Sequence, residues 1–260
     1  ALSKIEDLAV KRLFIHQHSA FNYLLRAILA SLFIGFGVIT AFKAGNFFYA
    51  VHSPFAYPIA ALTFGVAIIL IAYGGGDLFT GDTFYYTYAA IRKRMTWKVV
   101  GKLWAYSYIG NIIGAIIFAL LIYATGLFKD PSVNGFLISV AQGKTSAPTS
   151  ELFFRGILCN WLVCMAFFLP YQVKGDGPKM FVMVFLVFCF FISGYEHSIA
   201  NIVTFSISMA TQHPDAVTFD GIVHNIIPVT IGNLIGGTLF MASMYHYLSK
   251  PFMNVEDENK

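Results

Sequence analysis

Charge is what this sequence has least of. Of its 260 residues only 12% are charged, about half the share in an ordinary soluble domain. A soluble globule of this length needs far more polar surface, which argues against a soluble enzyme, a nucleic-acid binder and a disordered chain. Cysteine is scarce as well. Cys159, Cys164 and Cys189 are the 3 present, each inside an apolar run, so there is neither a disulfide framework nor a paired C-x-x-C zinc site. They read as small apolar side chains on helices. No H-E-x-x-H occurs on an apolar stretch and no serine–histidine pair has usable spacing, which speaks against an intramembrane enzyme. The amino-terminal ALSKIEDLAVKRLFIHQHSAF mixes acids with cations and has no clean apolar core. It is expected to be an amphipathic helix along a membrane face rather than a signal peptide.

What is present is apolar surface. Hydrophobic residues make up 57% of the chain and the mean hydropathy is +0.68. A bilayer core takes about 20 apolar residues in helical form. Six stretches qualify, at about 23–44, 57–91, 99–126, 151–172, 178–211 and 222–248. An even number of crossings puts both termini on one side. With that side cytoplasmic, only Lys43, Lys129, Lys144 and Arg155 of the 17 cations fall outside, as the positive-inside bias requires. The expected organisation is a single transmembrane domain. Residues 1–22 form the cytoplasmic amphipathic helix, 23–126 a first repeat, 127–150 an extracytoplasmic connection, 151–248 a second repeat and 249–260 a cytoplasmic tail.

The repeats show in three matched segments. GNIIGAIIF at 110–118 matches GNLIGGTLF at 232–240, an offset of 122 residues. RAILASLF at 26–33 matches RGILCNWL at 155–162, and Gly74 pairs with Gly194 at an offset of 120. Three spans per half insert the second half upside down, the inverted plan of many transporters and channels. The G-x-x-x-G pairs Gly110/Gly114 and Gly232/Gly236 are expected at close helix contacts, with Asn111 and Asn233 tying nearby broken backbone to its neighbours.

The second and fifth stretches are interrupted, by GGGDLFTGD at 74–82 and SGYEHSIAN at 193–201. Irregular backbone at membrane depth survives only where protein buries it or it lines a cavity, and paired interruptions mark a permeation site. The Gly74–Gly76 run permits positive φ before the first break. Thr80 reads as the N-cap of the helix resuming there, with Asp82 in its first turn, and Ser198 as the start of the second resumed helix. Two half-helix N-termini facing inward suit an anion. Glu196 and His197 are ionisable residues deep in the fifth stretch, where a charge costs about 2.5–3.5 kcal/mol. His197 is therefore a functional candidate. Glu196 reads equally as a residue that only holds its loop.

At these residues the chain resembles the formate/nitrite transporter family. The shared signatures are Leu78-Phe79-Thr80, the string Gly194-Tyr195-Glu196-His197-Ser198-Ile199-Ala200-Asn201, and Asn160-x-Leu162-Val163-Cys164. The likeness spans about residues 10 to 248. Lys144-Thr145-Ser146-Ala147-Pro148 with the segment from Cys159 to Cys164 is closer to the nitrite branch. The resemblance implies an all-α, aquaporin-like membrane fold, a homopentamer in a bacterial cytoplasmic membrane, and one pore per protomer. It implies no catalytic residue, cofactor or metal. His197 is then the central pore histidine with Thr80 beside it. Leu78 and Phe79 form an inner constriction and Phe64 and Phe190 an outer apolar ring, with Val163 among the constrictions. Lys144, Asn160 and Glu196 surround the vestibule. Asp82 departs from the Asn, His or Ser that related members often carry.

The implied partners are nitrite or formate, protons and lipid, with hydrosulfide an alternative cargo of the same fold. A bare ion in an apolar ring costs tens of kcal/mol. Lys144 would gather the anion, or is simply a solvated loop lysine. Partial neutralisation at His197, whose reference pKa is about 6.5, would then allow passage. The chain lacks the Gly-x-x-Asn-Pro-Ala signature of a water or neutral-solute channel. A non-transporting structural subunit is the remaining alternative from another class.

Overall fold

The computed structural model describes residues 1–211, 215 and 217–250. His213, expected near the outer surface, and positions 251–260 of the expected tail lie outside the described residues. All regular structure among the described residues is helical. The helices are α1 (Leu2–His18), α2 (Ala20–Tyr49), α3 (Ala56–Thr63), α4 (Val66–Gly74), α5 (Phe79–Ile91) and α6 (Trp97–Thr125). They continue with α7 (Pro131–Ser146), α8 (Thr149–Phe168), α9 (Asp176–Ile192), α10 (Ser198–Ala210) and α11 (Phe219–Ile235), the last running into a π-helical stretch over Gly236–Ser243. Five segments are long and apolar enough to cross a membrane: Ala20–Tyr49, Ala56–Gly74, Trp97–Thr125, Thr149–Gln172 and Phe219–Lys250. The fifth apolar stretch is instead two shorter helices, α9 and α10.

Helix starts in polar loops follow ordinary capping chemistry. Ser19, Thr96, Asp130 and Thr218 each accept a backbone N–H from the first turn of α2, α6, α7 and α11, groups that otherwise lack partners. Asp130 and Pro131 together start α7, so the 127–150 connection is largely helix. Large apolar side chains such as Phe36, Ile109, Leu120 and Ile231 stay exposed on the outer faces, a surface suited to lipid.

α2 packs along α6, and α8 along α11. The glycine pairs sit at these crossings. A Cβ on Gly110 would lie 2.5 Å from Ala27 Cβ, and one on Gly236 would lie 2.5 Å from the Ile157 carbonyl oxygen. Backbones thus touch where a methyl group has no room. α1 packs against α5 and α2 and buries Ile5, Ala9, Arg12 and His16, which recur at helical spacing along one face.

Candidate functional site

Each break opens on a glycine with positive φ, Gly75 at 80° and Gly194 at 73°, a conformation glycine adopts without a Cβ clash. Beyond it the freed backbone groups find matching partners. In the first break Asp77 N–H donates to the Arg26 carbonyl at 3.0 Å and Phe79 N–H donates to Asn111 Oδ1 at 3.0 Å. Asn111 Nδ2 in turn donates to the carbonyls of Ala27 at 2.7 Å and Asp77 at 3.1 Å. In the second, Glu196 N–H donates to the Arg155 carbonyl at 3.3 Å and Ser198 N–H donates to Asn233 Oδ1 at 2.8 Å. Asn233 Nδ2 donates to the carbonyls of Gly156 at 2.8 Å and Glu196 at 2.9 Å. One asparagine per break thus bonds three backbone groups, two in the break itself and one on the neighbouring helix, α2 or α8.

The caps differ from those expected. α5 starts on Leu78 with no side-chain cap, and the Thr80 hydroxyl faces His197 Nε2 at 3.1 Å. α10 is capped by His197 itself, whose Nδ1 accepts the Ala200 N–H at 3.1 Å. Ser198 Oγ has no hydrogen-bond partner. Because Nδ1 accepts, the neutral ring carries its proton on Nε2 and donates it to Thr80 Oγ1. Asn160, fully buried, shares the two hydrogens of its Nδ2 among three acceptors, the Thr80 carbonyl at 3.1 Å, Thr83 Oγ1 at 2.9 Å and the Asn233 carbonyl at 2.6 Å. It joins the first break to α11 from behind.

Two small cavities meet at His197. One, of about 30 Å³, faces α7 and is lined by Tyr57, Lys144, Tyr195, Asn201 and Thr204 together with aromatic rings. The other, of about 20 Å³, lies on the α1 side, and its wall is Leu78, Val163, Phe167, Val187 and other apolar side chains. Phe64, Phe190, His197 and Ala200 belong to both walls. The Phe64 and Phe190 rings meet edge to face with centroids 6.2 Å apart. His197 is the one polar side chain lining the smaller cavity. Each volume holds one or two waters, so a small ion would fill it. Phe79 and Asn160 line neither cavity; the Phe79 ring packs on Tyr108 at 4.9 Å.

The carboxylates beside the breaks are neutralised. Glu196, nearly buried, receives Lys144 Nζ at 2.9 Å and Asn201 Nδ2 at 2.5 Å. Lys144 is therefore an ion-paired wall residue and not a solvated loop lysine. Burial works to lower its pKa, but the Glu196 charge, its hydrogen bond and the nearby Tyr57 together hold it above the usual lysine value. Asp77 and Asp82 are fully buried. Asp77 pairs with Arg12 Nε and Arg26 Nε, each at 2.8 Å, and Asp82 pairs with an Arg12 Nη. Ser107 and Tyr23 also donate to Asp82, at 2.7 and 3.3 Å. The sequence reading gave Arg12 no role, though its place on the apolar face of α1 with Ile5 and Ala9 was a usable signal. Among the described residues no group of three or more His, Cys, Asp or Glu could hold a metal ion.

The Formate/nitrite transporter family profile matches residues 1–247. The chain belongs to the formate/nitrite transporter family. That family consists of transporters and channels, not enzymes, so this is an apolar, helical membrane transport protein. It is 59% identical over 249 residues to the uncharacterized transporter YwcJ of Bacillus subtilis, covering 96% of this chain and 97% of that one. It is 36% identical over 224 residues to the nitrite transporter NirC of Salmonella typhimurium, covering 84% and 80% of the two chains. A solved FNT family ion channel superposes with a TM-score of 0.89 at 32% identity, over 95% of this chain and 98% of that chain. A pentameric formate channel with formate bound superposes with a TM-score of 0.75 at 26% identity, over 89% and 98%.

Proposed function

We propose that this chain is a bidirectional channel for small monoanions of weak acids, nitrite or formate, proton-linked through His197. The observation that carries the reading is the His197 ring on the wall shared by two ion-sized cavities, with Thr80 Oγ1 3.1 Å from its Nε2. The nitrite transporter and the formate-bound channel it resembles support the choice of anion.

The six spans of this reading are α2, α3–α5, α6, α8, α9–α10 and α11. They form two inverted halves of three, aquaporin-like, with the second and fifth spans broken. The equivalent hydrogen bonds of Asn111 and Asn233 support that symmetry. The chain works as a homopentamer in a bacterial cytoplasmic membrane, with one pore per protomer and both termini inside. α1 then lies on the cytoplasmic face and α7 outside.

An anion entering from outside meets Lys144 on the wall of the first cavity, held in place by Glu196 and Asn201. Phe64 and Phe190 are the apolar ring between the cavities, and Leu78 and Val163 narrow the inner one. Asn160 positions Thr80, and Phe79 braces the break against α6. The neutral ring offers its Nε2–H to the anion. Protonation at Nδ1 breaks the cap bond to Ala200, worth about 0.5–2 kcal/mol. An anion about 4 Å away stabilises the imidazolium by about 4 kcal/mol at an effective dielectric of about 20. The anion's arrival therefore favours the charged ring. The proton taken up at Nδ1 comes from the outer solution, the imidazolium passes its Nε2 proton to an anion oxygen, the ring is left neutral with its proton on Nδ1, and the uncharged acid crosses the apolar cavity. Asp82 stays bound to Arg12 and faces no pore.

The test is nitrite and formate uptake into proteoliposomes between about pH 5 and pH 8. Wild-type flux should vary with pH, and His197→Asn should remove that dependence. A His197→Asn channel with unchanged pH dependence would refute the proton role, and a wild type passing neither anion would refute the channel reading.

A further inference from the structure

We propose that the recess beneath α1 is a binding site for a phosphate-type dianion, separate from the permeation cavities. This recess has a volume of about 570 Å³, against about 20 Å³ for the neighbouring apolar cavity. The two share Ile71 and Phe167 on their walls. A permeant monoanion small enough for the inner cavity leaves most of the recess empty.

Its charge also exceeds what one monoanion balances. Lys4, Lys11, Arg12, Arg26 and Lys179 all line the recess, and among the described residues no carboxylate does. Behind the wall Asp77 and Asp82 offset Arg12 and Arg26. Asp176 lies 3.4 Å from Lys179. Lys4 rests over the Tyr171 ring at 5.8 Å, and neither Lys4 nor Lys11 has an ion-pair partner among the described residues. Among the described residues two positive charges are left over. A phosphate monoester carries about 1.5–2 negative charges near neutral pH, and pyrophosphate carries more. Arg26 adds a directional element. Its Nε is spent on Asp77, while its Nη1 and Nη2 come within 3.7 and 3.8 Å of where a Cβ on Gly75 would stand, on the recess wall. That free edge is the fork that grips phosphate oxygens in pairs.

The same chemistry is offered by a soluble phosphate compound and by a lipid headgroup that ends in a phosphate monoester, such as phosphatidic acid. Either is too large to follow the permeant anion into the inner cavity. On the channel reading given above, an occupant here closes the pore from the α1 side.

Calorimetric titration with pyrophosphate, on full-length protein in nanodiscs of uncharged phosphatidylcholine, tests the site without any transport. One pyrophosphate per chain is expected, and Lys4→Gln/Lys11→Gln should weaken it about tenfold or more. Repeating the titration in discs that contain phosphatidic acid separates the sources. A wild-type affinity lowered there by a larger factor than that of the double variant supports the site with a headgroup as occupant. An unchanged affinity supports it with a soluble one. No heat from pyrophosphate in uncharged discs, or equal binding by the double variant, overturns the proposal. In vesicles, internal pyrophosphate should inhibit nitrite uptake by the wild type more than by the double variant. Absent uptake in every sample would defeat the channel reading alone, because the calorimetry decides the site independently.

Discussion

Arg12 is the residue whose removal should tell most about how α1 is held. Its guanidinium is nearly buried, reaches both Asp77 and Asp82, and lies 4.9 Å from the Tyr85 ring centroid. Burial alone would lower its pKa, but the two carboxylates hold it above the usual arginine value, so it is charged at every working pH. Arg12→Gln leaves two buried carboxylates with one guanidinium, that of Arg26, which reaches Asp77 only. Asp82 keeps just its hydroxyl donors, Ser107 and Tyr23. Breaking a buried pair from one side costs about 3–5 kcal/mol. Asp82→Asn is milder, about 1–2 kcal/mol, because Arg12 retains Asp77 and the amide oxygen still accepts from Ser107. In the double variant the stranded charge is gone, so the effects should fall short of additive by about 1.5 kcal/mol or more. Melting in detergent reads the global part. Chymotrypsin cleavage after Phe14, whose side chain is 57% exposed on α1, reads the undocking of the helix. Arg12→Gln with unchanged Phe14 cleavage, or strictly additive effects, would show that the ion pairs do not hold α1.

Three further outcomes follow from the same contacts. His16 packs on Tyr23 and Tyr106, at 5.7 and 4.9 Å between ring centroids, and burial and then Lys102 lower its pKa. Its stabilisation is present above about pH 6.5 and is lost as pH falls below that, so Phe14 cleavage should quicken in acid, and His16→Phe should flatten the trend. Lys144, held above the ordinary lysine value by Glu196, stays charged through the neutral range and loses its contribution only as pH rises past that raised value. Lys144→Gln should therefore raise the half-saturating anion concentration several-fold, and an unmoved half-saturation would contradict the assignment. A Cβ on Gly232 would sit 3.0 Å from Ile157 N and 3.1 Å from Gly156 Cα, both backbone, so Gly232→Ala should cost about 1–3 kcal/mol in a detergent melt. Gly143→Ala, where nothing lies within 4 Å, should be neutral or slightly stabilising.

The apolar stretches, the glycines that open the breaks and the role of Asn111 and Asn233 were all legible in the sequence, because each depends on hydropathy or on local backbone geometry. The caps were not. Thr80 and Ser198 obey the rule for a helix starting in water, where the preceding side chain is the nearest acceptor. At a buried break the neighbouring helix supplies that acceptor instead, Asn111 Oδ1 for Phe79 and Asn233 Oδ1 for Ser198. Thr80 is then free to face His197. Lys144 was left between two readings for a related reason. Whether a lysine is solvated or paired depends on a partner 52 residues away, which local pattern does not carry. The role of Asp82 depended likewise on Arg12, 70 residues before it.

The two breaks share backbone support and differ in what their side chains face. Asp77 and Asp82 are held on the α1 side by Arg12 and Arg26, and Glu196 is held on the α7 side by Lys144 and Asn201. No carboxylate lines either small cavity. A cation arriving at His197 would meet an N–H donor, two apolar walls and the positive ends of two half-helices, none of which repays its dehydration. A monoanion meets the same groups with the opposite sign. On the proposed reading, exclusion of cations comes from pairing away the carboxylates beside the breaks. On this account, freeing Glu196 by removing its lysine partner should hurt anion entry through an exposed negative charge as well as through a lost positive one.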